Sequence, residues 1–496
     1  MTWRSPSGDH DRPGRRPVTT TAVVGGGLGG LAAALFLARR GHSVTLLERD
    51  PAPPPATVDA VPGWARRGTP QAGQSHAFVA LCRQLLAAEA PDVLAAVRDA
   101  GAEEIDLCAA PPATLTTPPA PDPDLVVLAV RRSVFEWALR RVVQAEPGVT
   151  LRAGVAVTGL VCVDGPVPVV RGVHLDDGSA VTAETVVDAG GRRSMVPSWL
   201  AECGASVPDE VVVPCGIAYC SRFFRRRSGA SPAPLNRGYV AGGSFDRYSC
   251  LAFPADNGTF SVTFGILPED RDMRALHDGA AFLAAARAVP VVSEWLDPDD
   301  AEPISSVATM RGLENRFRSL VERGRPVALG VLAAGDSACI TNPAHTRGST
   351  LAIASALAVA RAVDAHDDAE SRALAVDAEL RRSGEPWFWD SVDQDASRLS
   401  RWRPDEAVRS GGRTTVSNAE ANLGAQRDPV VWHAFTRAQQ LLELPSAVLD
   451  DPDIVARTRA VVAGDWRPPA LPAPSHDDLV AIAGGAVPAP ALGRTG

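Results

Sequence analysis

Thr20-Thr21-Ala22-Val23-Val24-Gly25-Gly26-Gly27-Leu28-Gly29-Gly30-Leu31, with the alanine-rich run behind it and Ser43-Val44-Thr45-Leu46-Leu47-Glu48 beyond, decides the fold of this chain. Residues 20–24 form a β-branched, apolar run, the signature of a parallel strand covered on both faces. The glycine turn follows. Leu31, Leu35 and Ala38 then recur on one helical face, and Gly41 supplies a C-terminal stop. Residues 44–47 read as a second strand, closed by Glu48. Strand, turn, helix and strand within about 30 residues predict a βαβ unit that binds a dinucleotide. Gly25 makes the tight turn, Gly27 lets a diphosphate approach the backbone, and Gly30 lets helix and strand pack closely. Leu28 and Gly29 open the helix, whose free N–H groups and positive dipole end face the anion. Glu48 is placed to accept hydrogen bonds from ribose hydroxyls. A carboxylate there repels a 2′-phosphate, which excludes NADP from this site.

Outward from that stretch, composition bounds the rest. The chain has 496 residues, enough for two to four units. Acidic residues outnumber basic ones by 58 to 49, for a formal charge of −9, which argues against nucleic acid as a partner. Every basic residue is arginine, so Schiff-base, Walker and lysine general-base chemistry are excluded. The 8 cysteines include no CxxC pair and the 9 histidines no HExxH helix, so no metal site is expected. Residues 1–18 are polar and lack an apolar signal region; they read as a disordered tail. The longest apolar stretch, 349–363, is too short and too alanine-rich for a membrane span. The expectation is a cytoplasmic protein with reduced thiols.

Three further motifs stand at strand ends. Gly335-Asp336, with Pro343 and Gly348 beyond, follows the apolar run 327–334 and precedes a long alanine-rich helix. A carboxylate there can hold a sugar-alcohol hydroxyl, and the helix start places positive potential beside an anionic ring. Asp188-Ala189-Gly190-Gly191-Arg192-Arg193-Ser194 closes another strand, and Arg131-Arg132 opens a helix. Antiparallel alternation marks residues 149–162 and 169–174. Strand-like segments rich in Tyr, Phe and Cys fill 211–265, and charged helices follow residue 367.

Together these motifs resemble the FAD-dependent monooxygenases of the para-hydroxybenzoate-hydroxylase-like fold. The likeness is closest to the squalene-epoxidase-like and bacterial polyether-epoxidase-like branch and to actinobacterial FAD-dependent oxidoreductases. It runs from about residue 20 to 365 and includes Gly68-Thr69-Pro70-Gln71 through His76, a loop beside the cofactor in that branch. The resemblance implies an α/β fold: a Rossmann-like FAD-binding domain of glutathione-reductase type, an inserted mixed-sheet substrate domain and a C-terminal helical region. It assigns 19–60, 125–200 and 328–375 to the FAD domain. Segments 61–124 and 201–327 go to the substrate domain, and 376–496 to a helical appendage.

On the same resemblance, Gly25, Gly27, Leu28, Gly29, Gly30 and Glu48 hold the ADP half of FAD, with Arg49 near the adenine. Arg132, Asp188, Gly335, Asp336, Pro343 and Gly348 line the flavin half, where Asp336 binds the ribityl chain. The implied reaction is hydroxylation or epoxidation of a lipophilic small metabolite through a flavin hydroperoxide, in bacterial secondary metabolism. His345 is the candidate proton donor, and His76, Tyr219, Arg222 and Tyr248 are candidate substrate-pocket residues. Electrons come from NADH or NADPH, directly or through a separate flavin reductase; a carrier protein is a further candidate partner. Two other readings stay open: an FAD-dependent reductase or dehydrogenase, and a flavoprotein whose FAD is structural. The chain departs from the family at Thr346, where a glycine is usual, so the side chain is expected to crowd the flavin or shift the loop.

Overall fold

The computed structural model describes residues 18–66, 68–227, 229, 233–404 and 412–485. Residues 1–17 of the expected tail and the last residues of the expected helical region lie outside them. The quoted stretch folds as Thr20–Val24, Leu28–Ala38 and Ser43–Glu48. Its strands occupy the centre of a five-stranded, all-parallel sheet ordered Val331–Ala333, Thr185–Asp188, Thr20–Val24, Ser43–Glu48 and Val149–Ala153. Three distant chain segments therefore build one sheet. Val331–Ala333 and Thr185–Asp188 are buried along their whole length, as parallel strands covered on both faces must be. Helix Leu28–Ala38 is buried all round, between the sheet and helices Arg132–Ala145 and Gly348–Ala365. Gly348–Ala365 is long and apolar enough to cross a membrane by length and composition, but here it is a core helix, 78% buried within the protein.

A second sheet carries Ala241–Ser244, Tyr248–Pro254, Thr259–Ile266, Ala218–Arg226 and Ala301–Pro303 in that order, with Ala308–Met310 also pairing to Ala218–Arg226. All its pairings are antiparallel, where a mixed sheet was expected. The cause is local: the short connections 245–247 and 255–258 can only return a strand alongside its neighbour. One face packs on helix Gly279–Arg287 through Phe264, Phe282 and Met273. The other face looks toward the parallel-sheet domain.

The helices of the expected appendage, 376–496, pack into the body of the protein. Val416, Ala421, Val431, Phe435 and Leu449 belong to the same apolar core as Leu31 and Phe36. Helix Glu385–Trp402 packs on strand Glu314–Phe317, and His476–Ala483 docks on Gly279–Arg287. The expectation of uniformly reduced thiols also fails. Cys162, in Val157–Val163, is disulfide-bonded to Cys203, just past Val196–Glu202. The partners are 41 residues apart, and only the packing of that helix on the strand brings them together. The remaining six cysteines are free.

Candidate functional site

The glycine turn is built as its chemistry requires. Gly25 has φ of +104°, and a Cβ there would stand 2.4 Å from Ala189 O. A Cβ on Gly30 would meet Gly25 O at 1.8 Å, so helix and strand close on each other through this residue. Above Gly27 the space is open, with nothing among the described residues within 4 Å of a built Cβ. Gly27 caps the helix N-terminus without a side-chain hydrogen bond, which leaves first-turn N–H groups for an anion. Leu28 is buried, and a Cβ on Gly29 would be 3.4 Å from Gly335 Cα. That close approach joins the first motif to the distant Gly335-Asp336 motif.

Glu48 ends its strand buried, but its carboxylate is engaged. Oε2 accepts from Gly26 N at 3.1 Å and Arg66 Nη2 at 3.2 Å, and Oε1 accepts from Asp50 N at 2.9 Å. Arg66, on which no sequence motif falls, also donates to Glu136 at 2.7 Å, to Asp50 at 3.3 Å and to Gly26 O at 3.0 Å. Beside it, Arg140 is fully buried against the Trp64 ring, and two of its guanidinium nitrogens lack partners among the described residues. Arg140, Gln144, Pro51, Pro53 and Leu151 line a cavity of about 300 Å³ beside the edge strand Val149–Ala153. Arg49 is exposed and its Nε lies near Gly68.

On the flavin side, Arg132 opens its helix at 8% exposure; its Nη2 reaches Glu136 at 3.5 Å, and its Nε is buried without a partner among the described residues. Asp336 follows the strand end. Burial raises its carboxyl above the usual range, against the pull of Arg132 and Arg192. His76 Nδ1 donates to Gln74 O at 2.9 Å. Burial, and then the Arg132 charge, push His76 down to about 4, so the ring is neutral at pH 7. Asp188 does something other than expected. Its oxygens accept from Gly190 N at 3.0 Å, Ser194 Oγ at 2.7 Å and Ser337 Oγ at 2.9 Å, so it staples two loops together.

The loop before Gly348–Ala365 carries exposed Pro343 and Ala344, then His345, Thr346 and Arg347; Gly348 is half-buried. Thr346 keeps the left-handed conformation that favours glycine, at φ +55°. Its hydroxyl donates to His345 O at 2.8 Å and pairs with Tyr239 Oη at 2.8 Å, so the loop holds its path without glycine. Helix Glu385–Trp402, outside the resemblance, supplies the charges that hold this loop. Asp390 pairs with fully buried Arg347 at 2.5 Å. Asp395 stands 3.7 Å from His345 Nε2 and accepts from Asn342 Nδ2 at 2.5 Å, Arg398 Nη2 at 3.2 Å and Asn315 Nδ2 at 2.8 Å.

Of the substrate-pocket candidates on the second sheet, only Tyr219 faces this loop, donating to Asn342 Oδ1 at 2.7 Å. Arg222 and Tyr248 do not. Strand side chains alternate with period two, and the register places both on the opposite face. Arg222 donates to Ser305 O at 2.9 Å and Gly279 O at 2.8 Å; Tyr248 is buried and donates to Pro474 O at 2.8 Å. The Tyr219 face instead carries Ser221, Thr263 and Ser261. Their hydroxyls bond one another and the 74–75 segment: Ser221 donates to Gln74 Oε1 at 2.7 Å, and Ser75 to Ser261 at 2.6 Å. No local motif announces these hydroxyls.

The open face over Gly27, the unpartnered Arg132 Nε and the juxtaposed Gly29 and Gly335 fit a dinucleotide extended from the first turn toward Asp336. The comparisons agree. A family model described as FAD dependent oxidoreductase matches residues 20–109, so the chain carries an FAD-dependent oxidoreductase domain. Protein Rv3254 of Mycobacterium tuberculosis is 27% identical over 464 residues, covering 86% of this chain and 90% of that one. The myxobacterial halogenase CndH, described as an FAD-dependent halogenase of the chondrochloren system, is 20% identical with a TM-score of 0.55, over 93% of this chain and 99% of its own. A 2-methyl-3-hydroxypyridine-5-carboxylic acid oxygenase is 16% identical with a TM-score of 0.54, over 78% of this chain and 94% of its own. At these identities the structural likeness shows the fold.

Proposed function

We propose that this chain is an FAD-dependent monooxygenase that inserts one oxygen atom, by hydroxylation or epoxidation, into a small lipophilic metabolite of bacterial secondary metabolism. The observation that carries the reading is the close approach of Gly29 to Gly335, which brings the anion-binding turn against the loop that leads to Pro343–His345. Bound there, FAD supplies two-electron redox chemistry and, once reduced, the activation of dioxygen.

The chain's own residues bind, orient and exclude water. The helix N-terminus that begins at Gly27 would hold the diphosphate, and Arg132, with its free Nε, would add a donor to the cofactor. The N-terminus of Gly348–Ala365 directs its positive dipole end at the ring position, where it stabilises negative charge. Arg347 is neutralised by Asp390, so its charge serves the loop and not the ligand. The half-apolar, half-hydroxyl face around Tyr219, Leu251 and Thr263 walls the other side. Thr346 holding the glycine-like conformation supports an unaltered path beside the ring. Electrons come from NADH or NADPH, directly or through a separate reductase.

The test is direct. Purified protein should be yellow, with the absorbance of oxidised flavin, and under ¹⁸O₂ with an electron donor it should place one labelled atom in product. Colourless protein that takes up no added FAD overturns the reading. Turnover without label in product makes it a reductase or dehydrogenase.

A further inference from the structure

Asp395 lies on a helix that no motif connects to the cofactor, yet it is 2% exposed and faces the side chain nearest the expected flavin ring. Its two oxygens gather donors from three separate segments: Asn315, Asn342 and Arg398. Burial alone would raise this carboxyl. His345, Arg398 and Asn315 outweigh that and hold it below the usual carboxylate range. An ionised carboxylate only accepts, so a ring nitrogen turned toward it must carry its proton. His345 Nε2 is that nitrogen; it is buried and has no hydrogen-bond partner among the described residues. Oδ1 already serves Asn342 and Arg398, which accounts for the stand-off of 3.7 Å, and such contacts commonly tighten when a site is occupied.

We infer that Asp395 is a positioning residue that holds His345 as the Nε2–H tautomer, so that Nδ1 meets the ligand beside Pro343 and Ala344 as a hydrogen-bond acceptor. The inference deepens the monooxygenase reading and rests on it for what occupies the cleft. It also narrows the substrate: the group beside the ring offers an O–H or N–H donor to Nδ1, which a plain hydrocarbon chain does not. Asp395 touches neither cofactor nor substrate; it acts through His345, as the carboxylate behind a metal- or substrate-facing histidine fixes its tautomer.

The experiment is ¹⁵N NMR of the full chain with FAD bound and its histidines labelled, at about pH 8 so that neutral imidazole is sampled. His345→Gln assigns the His345 signals by their disappearance. The expected result is a protonated Nε2 and an unprotonated Nδ1 in the unsubstituted protein. Asp395→Asn, with FAD absorbance and melting temperature retained, should lose that pattern for a mixture of tautomers. A His345 proton on Nδ1 in the unsubstituted protein overturns the proposal, whether or not the Asp395 variant folds. An unchanged pattern in a folded Asp395→Asn variant overturns the part given to Asp395. Failure of the monooxygenase reading shows separately, as absent ¹⁸O incorporation, and leaves the tautomer legible.

Discussion

Arg66 Nη2 lies 3.2 Å from Glu48 Oε2, so the acid that ends the dinucleotide strand is ion-paired inside the protein. The same guanidinium serves Glu136 and Asp50, which puts one cation at the centre of three carboxylates. Removing one member of such a buried cluster leaves the others uncompensated. Arg66→Met is expected to cost about 3–5 kcal/mol of unfolding free energy, read by urea denaturation. Glu48→Gln, which keeps the shape and removes one charge, should cost less. A variant as stable as the parent would show that the cluster is not the anchor described.

Gly27 and Gly30 separate binding from folding. Gly27→Ala adds a methyl group into open space at an ordinary φ of −78°, so the melting temperature should not move. The methyl stands where the diphosphate approaches. FAD affinity, measured by flavin fluorescence on titrating apoprotein, should fall at least about tenfold, roughly 1.4 kcal/mol. Gly30→Ala drives a carbon to 1.8 Å from Gly25 O and should prevent folding.

His76 makes stability depend on pH. Its native value is about 4, set by burial and by Arg132, against the ordinary 6.5 of the unfolded chain. Between those values the unfolded chain takes up a proton that the native ring refuses, so stability falls as pH drops through that window. Relative to His76→Gln, the parent should lose about 2–3 kcal/mol between pH 7 and pH 4. Parallel stability curves for the two proteins over that range would remove His76 from the account.

The Cys162–Cys203 bond joins residues 41 apart in the chain. Thiol titration of denatured, unreduced protein should count six free thiols. Cys162→Ser should lower stability by about 3–4 kcal/mol on the chain-entropy model. Eight titratable thiols would show the bond absent.

Much was legible in the residues themselves because the signals are local. A β-branched run, a glycine turn and an alanine-rich helix follow one another directly, and each glycine meets its contact through its own backbone geometry. The order of Gly335, Asp336 and Pro343 behind an apolar strand is likewise local. The second sheet was harder. Its strands could be seen, but the face each side chain takes depends on register, and Arg222 and Tyr248 fell on the far side for that reason.

What the sequence by itself determined is the dinucleotide turn, the strand that ends at Glu48 and the absence of lysine chemistry, because these depend on residues adjacent along the chain or on composition alone. Tertiary structure alone decided the partners of the charged groups: Arg66 on Glu48, Asp390 on Arg347, Asp395 beside His345, and Cys162 bonded to Cys203. Ion pairs and disulfides are set by distance in space, and partners so far apart along the chain share no periodicity that a reader of the residues could follow.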